Sequence, residues 1–293
     1  MRAVVEHEPA IVCVANSNSA HGGPRTESVA TKSASHGSTA ASMLCPLPPE
    51  ILDLVVAHLH TELTTLKACC VVSKSWIHRT RIHLFAHIKF DTSNCDIERW
   101  KKAFPDSSSS PAHHTRHLLI RGLSAVTAAD AGGWIRAFHN LVHLQLEGVG
   151  GGEGVSLIPF YGLSPTLRSL NLIYTSPGVL DLICSFPLLE DLGLVSPSEG
   201  SHVRNTPLTS PKLTGSLDLS MLGGIHPVAR RLLSLPNGLH FTKITAACID
   251  EGIHPVRDLV SRCSGTLESI SVFYYTPGAS PLAFCDWLIP YCL

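Results

Sequence analysis

Leu141-Val142-His143-Leu144-Gln145-Leu146 returns further along the chain as Leu167-Arg168-Ser169-Leu170-Asn171-Leu172. This recurrence decides the fold. The same pattern precedes it at Thr115-x-x-Leu118-x-Ile120. It follows at Leu189-x-x-Leu192-x-Leu194, Leu217-x-Leu219, Phe241-x-x-Ile244-x-Ala246 and Leu267-x-x-Ile270-x-Val272. The central apolar residue of each core stands in turn at Leu118, Leu144, Leu170, Leu192, Leu217, Ile244 and Ile270, nearly evenly spaced. Self-similarity at a period of roughly 20–50 residues marks a repeat architecture. Within each core the alternation puts the apolar residues on one face of a strand and the intervening ones on the other. The fifth core holds one extra residue, because Leu213 stands four before Leu217.

Helix signals fill the gaps. Ser176-Pro177 and Ser280-Pro281 each place a capping hydroxyl before a proline, opening Val179–Phe186 and Leu282–Leu288. Gly224-Ile225-His226-Pro227-Val228 recurs one repeat later as Gly252-Ile253-His254-Pro255-Val256. Each strand–helix unit has an apolar face that only its neighbours can bury. Residues 113–293 are therefore expected to form an α/β solenoid with a parallel sheet.

Upstream the pattern changes. Leu47-Pro48-Pro49-Glu50-Ile51-Leu52-Asp53-Leu54-Val55-Val56-Ala57-His58-Leu59 opens with prolines where missing N–H groups cost nothing, and continues at helical spacing. Leu63, Leu66, Cys69, Cys70 and Val71 fit a second helix, and Ser73 can cap a third carrying Trp76 and Ile77. Residues 45–90 thus read as a small all-α module. Ile97, Trp100 and Phe104 suggest one more helix in 91–112, ending in the linker Pro105-Asp106-Ser107-Ser108-Ser109-Ser110-Pro111. Residues 1–44 are rich in small polar side chains and read as a disordered tail. The overall class is α+β.

Leu47-Pro48-x-Glu50-Ile51-Leu52, followed by Leu66 and Val72-Ser73-Lys74-Ser75-Trp76, resembles the F-box. The repeats resemble a leucine-rich-repeat-like domain, as in many fungal F-box proteins. They depart from that family's pattern where Asn or Cys is usual after the last core position; Leu123, Val149, Thr175, Pro197, Leu222, Ile249 and Tyr275 stand there instead. The resemblance implies a non-catalytic substrate receptor that docks on the Skp adaptor, and through it on cullin, in a ubiquitin ligase. It assigns adaptor contact to Leu47, Pro48, Ile51, Leu52, Val72, Ser73 and Trp76. The target would lie on the outward row of the strands, chiefly His143, Gln145, Glu147, Asn171, Asp218, Phe273 and Tyr275. The alternatives are an adaptor-binding scaffold without ubiquitin transfer, and an unrecognised hydrolase.

Composition narrows the remaining classes. The 293 residues are 44% apolar and 15% charged with net charge -1, and neither sign dominates any segment. A basic nucleic-acid footprint is not supported. No stretch reaches the ~18 apolar residues of a membrane span. Ten scattered cysteines without Cys-x-x-Cys point to a reducing compartment, cytoplasmic or nuclear. The glycine run from Gly148 to Gly154 fits no phosphate-binding pattern and reads as a loop. His58-x-His60 and His113-His114-x-x-His117 lack a converging ligand set, so no metal or other cofactor is expected. Trp287 to Leu293 carries no charge where a polar end cap is due. The expectation is a longer natural chain or a covering partner.

Overall fold

The computed structural model describes residues 48–72, 74–106, 108–122, 131–148, 160–161, 163–174, 180–195, 211–220, 225–235, 237–248 and 253–274. The expected tail over 1–44, the glycine loop beyond Gly148, and the last helix and apolar end of the chain lie outside these residues.

Eight strands form one sheet, in chain order and all parallel. They are β1 (His87–Asp91), β2 (His117–Arg121), β3 (His143–Glu147), β4 (Ser169–Ile173), β5 (Asp191–Val195), β6 (Ser216–Ser220), β7 (Lys243–Cys248) and β8 (Ser269–Tyr274). The seven sequence cores are β2 to β8. The register aligns Leu118, Leu144, Leu170, Leu192, Leu217, Ile244 and Ile270 in one row. All but Ile270 are at most 2% exposed, so the row forms the floor of a continuous core. Phe138, Phe160, Phe186 and Phe241 are fully buried in the same core. Helices α5 (Ala131–Trp134), α6 (Leu180–Ile183), α7 (Ile225–Leu233) and α8 (Ile253–Cys263) lie in the connections.

Backbone pairing at both ends of the strands holds the spacing. The Ala86 carbonyl accepts N–H groups from both Arg116 and His117, each at 2.9 Å. The Arg116 carbonyl does the same for Val142 and His143, Val142 for Arg168 and Ser169, and Arg168 for Glu190 and Asp191. At the exit corners Gly122, Gly148 and Tyr174 donate to Glu147, Ile173 and Val195, each at 2.8 Å. Their φ angles of 67°, 64° and 50° show why glycine suits this corner. Buried backbone groups must be paired, and here the neighbouring repeat does it.

The strand β1 corrects the domain boundary. His87 to Phe90 fall within the helical module on sequence grounds, yet β1 pairs with β2 from His87↔His117 to Asp91↔Arg121. The sheet therefore begins at His87 and not after His113. The expected linker is exposed at Pro105, Asp106, Ser108 and Ser109 and turns into the core only at its end. Ser108 donates its N–H to Asp106 Oδ1 at 3.0 Å, and Ser110, Pro111 and Ala112 are buried. The extra residue of the fifth core also has a place. Leu213 is buried and forms an isolated parallel bridge with Leu239, just ahead of β6.

Among the described residues three helices precede the sheet: α1 (Pro49–His58), α2 (Leu63–Val72) and α3 (Lys74–Leu84). Val56, Leu66 and Leu84 make their small core, with Leu59, Leu63, Cys70 and Trp76 packed against it. Arg79 of α3 pairs with Asp53 of α1. Thr80 is fully buried, but its hydroxyl donates to the Trp76 carbonyl at 2.8 Å and meets Cys70 Sγ at 2.9 Å. Phe85 packs against both this cluster and the sheet core. Its ring meets Trp100 edge-on at 6.1 Å. Trp100 belongs to α4 (Asp96–Ala103) and lies 5.5 Å from Phe90 of β1, so aromatic rings cover the first strand.

Tyr174 sits in the left-handed region without glycine's freedom, which costs roughly 1–2 kcal/mol. Tyr174→Gly should raise the urea midpoint by an amount equivalent to about 1 kcal/mol. Gly122→Ala should lower it, since a Cβ there would lie 2.9 Å from Thr92 Oγ1. Equal midpoints for wild type and Tyr174→Gly would show the corner to be unstrained.

Candidate functional site

Two surfaces stand out, one on the bundle and one on the sheet. Helix α1 carries Glu50, Asp53 and His58 along one side and an apolar stripe wider than the face it buries. Leu52 and Val56 turn inward at 7% and 1% exposure. Ile51, Leu54 and Val55 face solvent, with Leu54 at 67%. At the end of α2, Val71 and Val72 are exposed at 86% and 68%. Among the expected adaptor residues, Pro48, Ile51 and Val72 are thus on the surface. Leu52 is buried, and Trp76 is half-buried against the bundle core. Leu47 and Ser73 lie outside the described residues. Leu54 and Val71 escape the motif-based assignment, although the apolar stripe of α1 is too broad for one buried face.

The outward sheet face has three rows. The first runs His87, His117, His143, Ser169 across β1 to β4 and continues with Asp191 on β5. The middle row runs Lys89, Leu119, Gln145, Asn171, Gly193 and Asp218. The third begins Asp91, Arg121, Glu147 and Ile173. The expected target residues His143, Gln145, Glu147 and Asn171 are therefore brought together on two adjacent strands. Asp218 lies two strands further on. Phe273 on β8 lies four strands from β4, roughly 19 Å away at the usual strand spacing. It cannot share a small site with His143. Tyr275 lies outside the described residues.

The first row contains what sequence reading overlooks. His87, His117 and His143 stack face to face, with ring centroids 4.1 and 4.2 Å apart and planes within 12°. His117 and His143 hold the same place in successive repeats, each just before a core Leu, which is the signal that could have found them. Burial, followed by the facing imidazoles of His87 and His143 and the nearby Arg116, pushes the His117 pKa down to about 4. Burial also lowers His143, while Asp191 pulls it the other way. Across the third row, Arg121 Nε donates to Glu147 Oε2 at 2.6 Å.

Two glycines shape the face. The Asn171 side chain lies over Gly193, where a Cβ would come within 2.7 Å of Asn171 Oδ1. Asp191 leans over Gly215 in the same way, and Ser216 donates its N–H and its hydroxyl to Asp191 Oδ1, both at 2.7 Å. Among the described residues no group of three or more His, Cys, Asp or Glu side chains could hold a metal. The arrangement offers stacking surfaces and hydrogen-bonding groups across several strands, suited to contact with another polypeptide.

The depressed histidines predict a pH dependence. In the unfolded chain His114 and His117 titrate near the ordinary value of ~6.5; in the fold both sit at about 4. Between these values the unfolded state binds more protons, so stability is full above about pH 6.5 and falls as pH drops towards 4. The urea midpoint should fall from pH 7 to pH 5, and His117→Gln should reduce that fall. A variant with the wild-type slope would remove His117 from the account. The chain matches no protein-family model and no curated protein.

Proposed function

We propose that the chain is a substrate receptor of a Skp–cullin–F-box ubiquitin ligase, with no bond-making chemistry of its own. The bundle binds the Skp adaptor, and the repeat sheet, read as a leucine-rich-repeat-like solenoid, binds the target protein. The observation that carries this is the exposed apolar set of the bundle. A small cluster around Val56, Leu66 and Leu84 holds the helices together, while Ile51, Leu54, Val55, Val71 and Val72 remain in solvent. Apolar side chains left in solvent on so small a module support a protein-binding role for it. Its place beside the Leu-Pro-x-Glu and Val-Ser-Lys-x-Trp motifs supports the adaptor as the partner.

The strand spacing and chain-order topology support the solenoid, and solenoid faces offer extended surfaces for proteins. Holding a target near the transferring enzyme accelerates reaction through proximity. Among the described residues Cys69, Cys70, Cys95 and Cys263 are thiols outside any disulfide, which fits a cytoplasmic or nuclear setting. Among the described residues no helix is long and apolar enough to cross a membrane.

Co-expression with a Skp adaptor tests the reading. Each large apolar group lost from an interface removes roughly 1.5–3 kcal/mol. Leu54→Asp with Val72→Asp should therefore weaken capture by at least about ten-fold and leave the sheet's unfolding unchanged. Undiminished capture by the double variant, or no capture by wild type, would overturn the proposal. Ubiquitin transfer to a bound partner in a reconstituted reaction separates a receptor from a scaffold.

A further inference from the structure

We propose that the outward face of the sheet carries a slot for an arginine side chain of the bound protein, between His143 and Asp191 and above Ser169. The inference rests on the reading of this face as the target surface. Neighbouring strands lie about 4.8 Å apart, and flat side chains at one register position stack like rungs. His87, His117 and His143 occupy three successive rungs with nearly parallel rings. The next rung is Ser169, which pairs in register with His143. Its side chain is too short to cover the face of the His143 ring. The row is therefore interrupted by one rung.

Beyond the gap stands Asp191, in register with Ser169. Its carboxylate does not collapse into the gap. It leans towards β6, where Ser216 holds Oδ1 through two hydrogen bonds and Gly215 leaves it room. The charge nevertheless acts across the gap, since Asp191 favours the protonated form of His143. The chain's own guanidinium nearby, that of Arg168, is engaged by Glu190.

The gap is one rung thick, with a neutral aromatic ring on one side and a carboxylate on the other. A guanidinium meets all three conditions. It is planar, stacks flat on an aromatic face, and carries the positive charge that the Asp191 carboxylate on the far side favours. A lysine ammonium would answer the charge but not the stacking. A neutral aromatic ring would stack but leave Asp191 without a cation.

The test uses the full chain with 13C,15N-labelled histidine and three small probes: Nα-acetylarginine amide, Nα-acetyllysine amide and 4-methylphenol. The arginine probe should shift the His143 ring signals saturably. Its Kd should be at least about five-fold below that of the lysine probe, the order that stacking on an aromatic ring supplies. Ser169→Phe, which fills the rung, and Asp191→Asn, which removes the charge, should each abolish that preference. Should Ser169→Phe fail to fold, Asp191→Asn alone decides. Equal response to arginine and lysine, strongest response to 4-methylphenol, an unchanged preference in Asp191→Asn, or no saturable shift would each overturn the slot. No adaptor or target is present in this titration. A chain that captures the adaptor but ignores the arginine probe loses the slot and keeps the proposed function.

Discussion

Most of the strands are held to the next by a carbonyl group that accepts two N–H donors at the point where the following strand begins. Ala86, Arg116, Val142 and Arg168 all play this part, with bonds between 2.8 and 3.0 Å. Strand entry leaves two successive N–H groups in need of acceptors, and an unpaired buried amide costs free energy comparable to a lost hydrogen bond. At these four junctions the preceding repeat supplies the acceptor at the same relative position; at β6 the Glu190 carbonyl takes the Gly215 N–H and the Asp191 carboxylate takes that of Ser216. This condition sets the register, and the register aligns the leucines into one buried row. Repeat length varies, shortest from Leu170 to Leu192 and longest from Leu217 to Ile244, and the variation is absorbed outside the strands. Leu213 shows how: the extra residue is taken up ahead of β6, where Leu213 makes a bridge of its own to Leu239.

A stack of this kind exposes apolar surface at its first strand unless something covers it. Here α4 does so with Trp100, and Phe85 carries the contact on into the helical bundle. The bundle is thus anchored to the end of the sheet through shared aromatic packing. Its own core is small, so little apolar surface is needed to hold it and much is left outside. The exposed apolar side chains of α1 and α2 follow from that division. A longer buried stripe would have used them internally.

The outward face is built from whatever stands between the core leucines, and it is unconstrained by packing. That freedom allows a stacked histidine row, a paired arginine and glutamate, and two glycines over which neighbours lean. Burial holds the His117 and His143 pKa values below the ordinary histidine value, helped at His117 by the imidazoles of His87 and His143 and opposed at His143 by Asp191. Near pH 7 they present an aromatic surface and not a basic one.

Much of the fold was legible in the sequence because both of its periods are local. Alternation of Leu and polar residues over one short core reveals a strand, and its regular return reveals a stack. Helical spacing from Pro49 to His58 is equally local. What the sequence did not reveal depends on contacts between distant residues. His87-Ile88-Lys89-Phe90-Asp91 carries a short alternation without leucines, and only pairing with β2 makes it the first strand. Which apolar residues of α1 face inward was settled by where α2 and α3 lie, since the apolar stripe of the helix is wider than the face it buries. The histidine row required the register: His87, His117 and His143 belong to different repeats and meet only because parallel strands align them. A linear pattern names the side chains that point outward; the separation and tilt of the strands decide which of them touch.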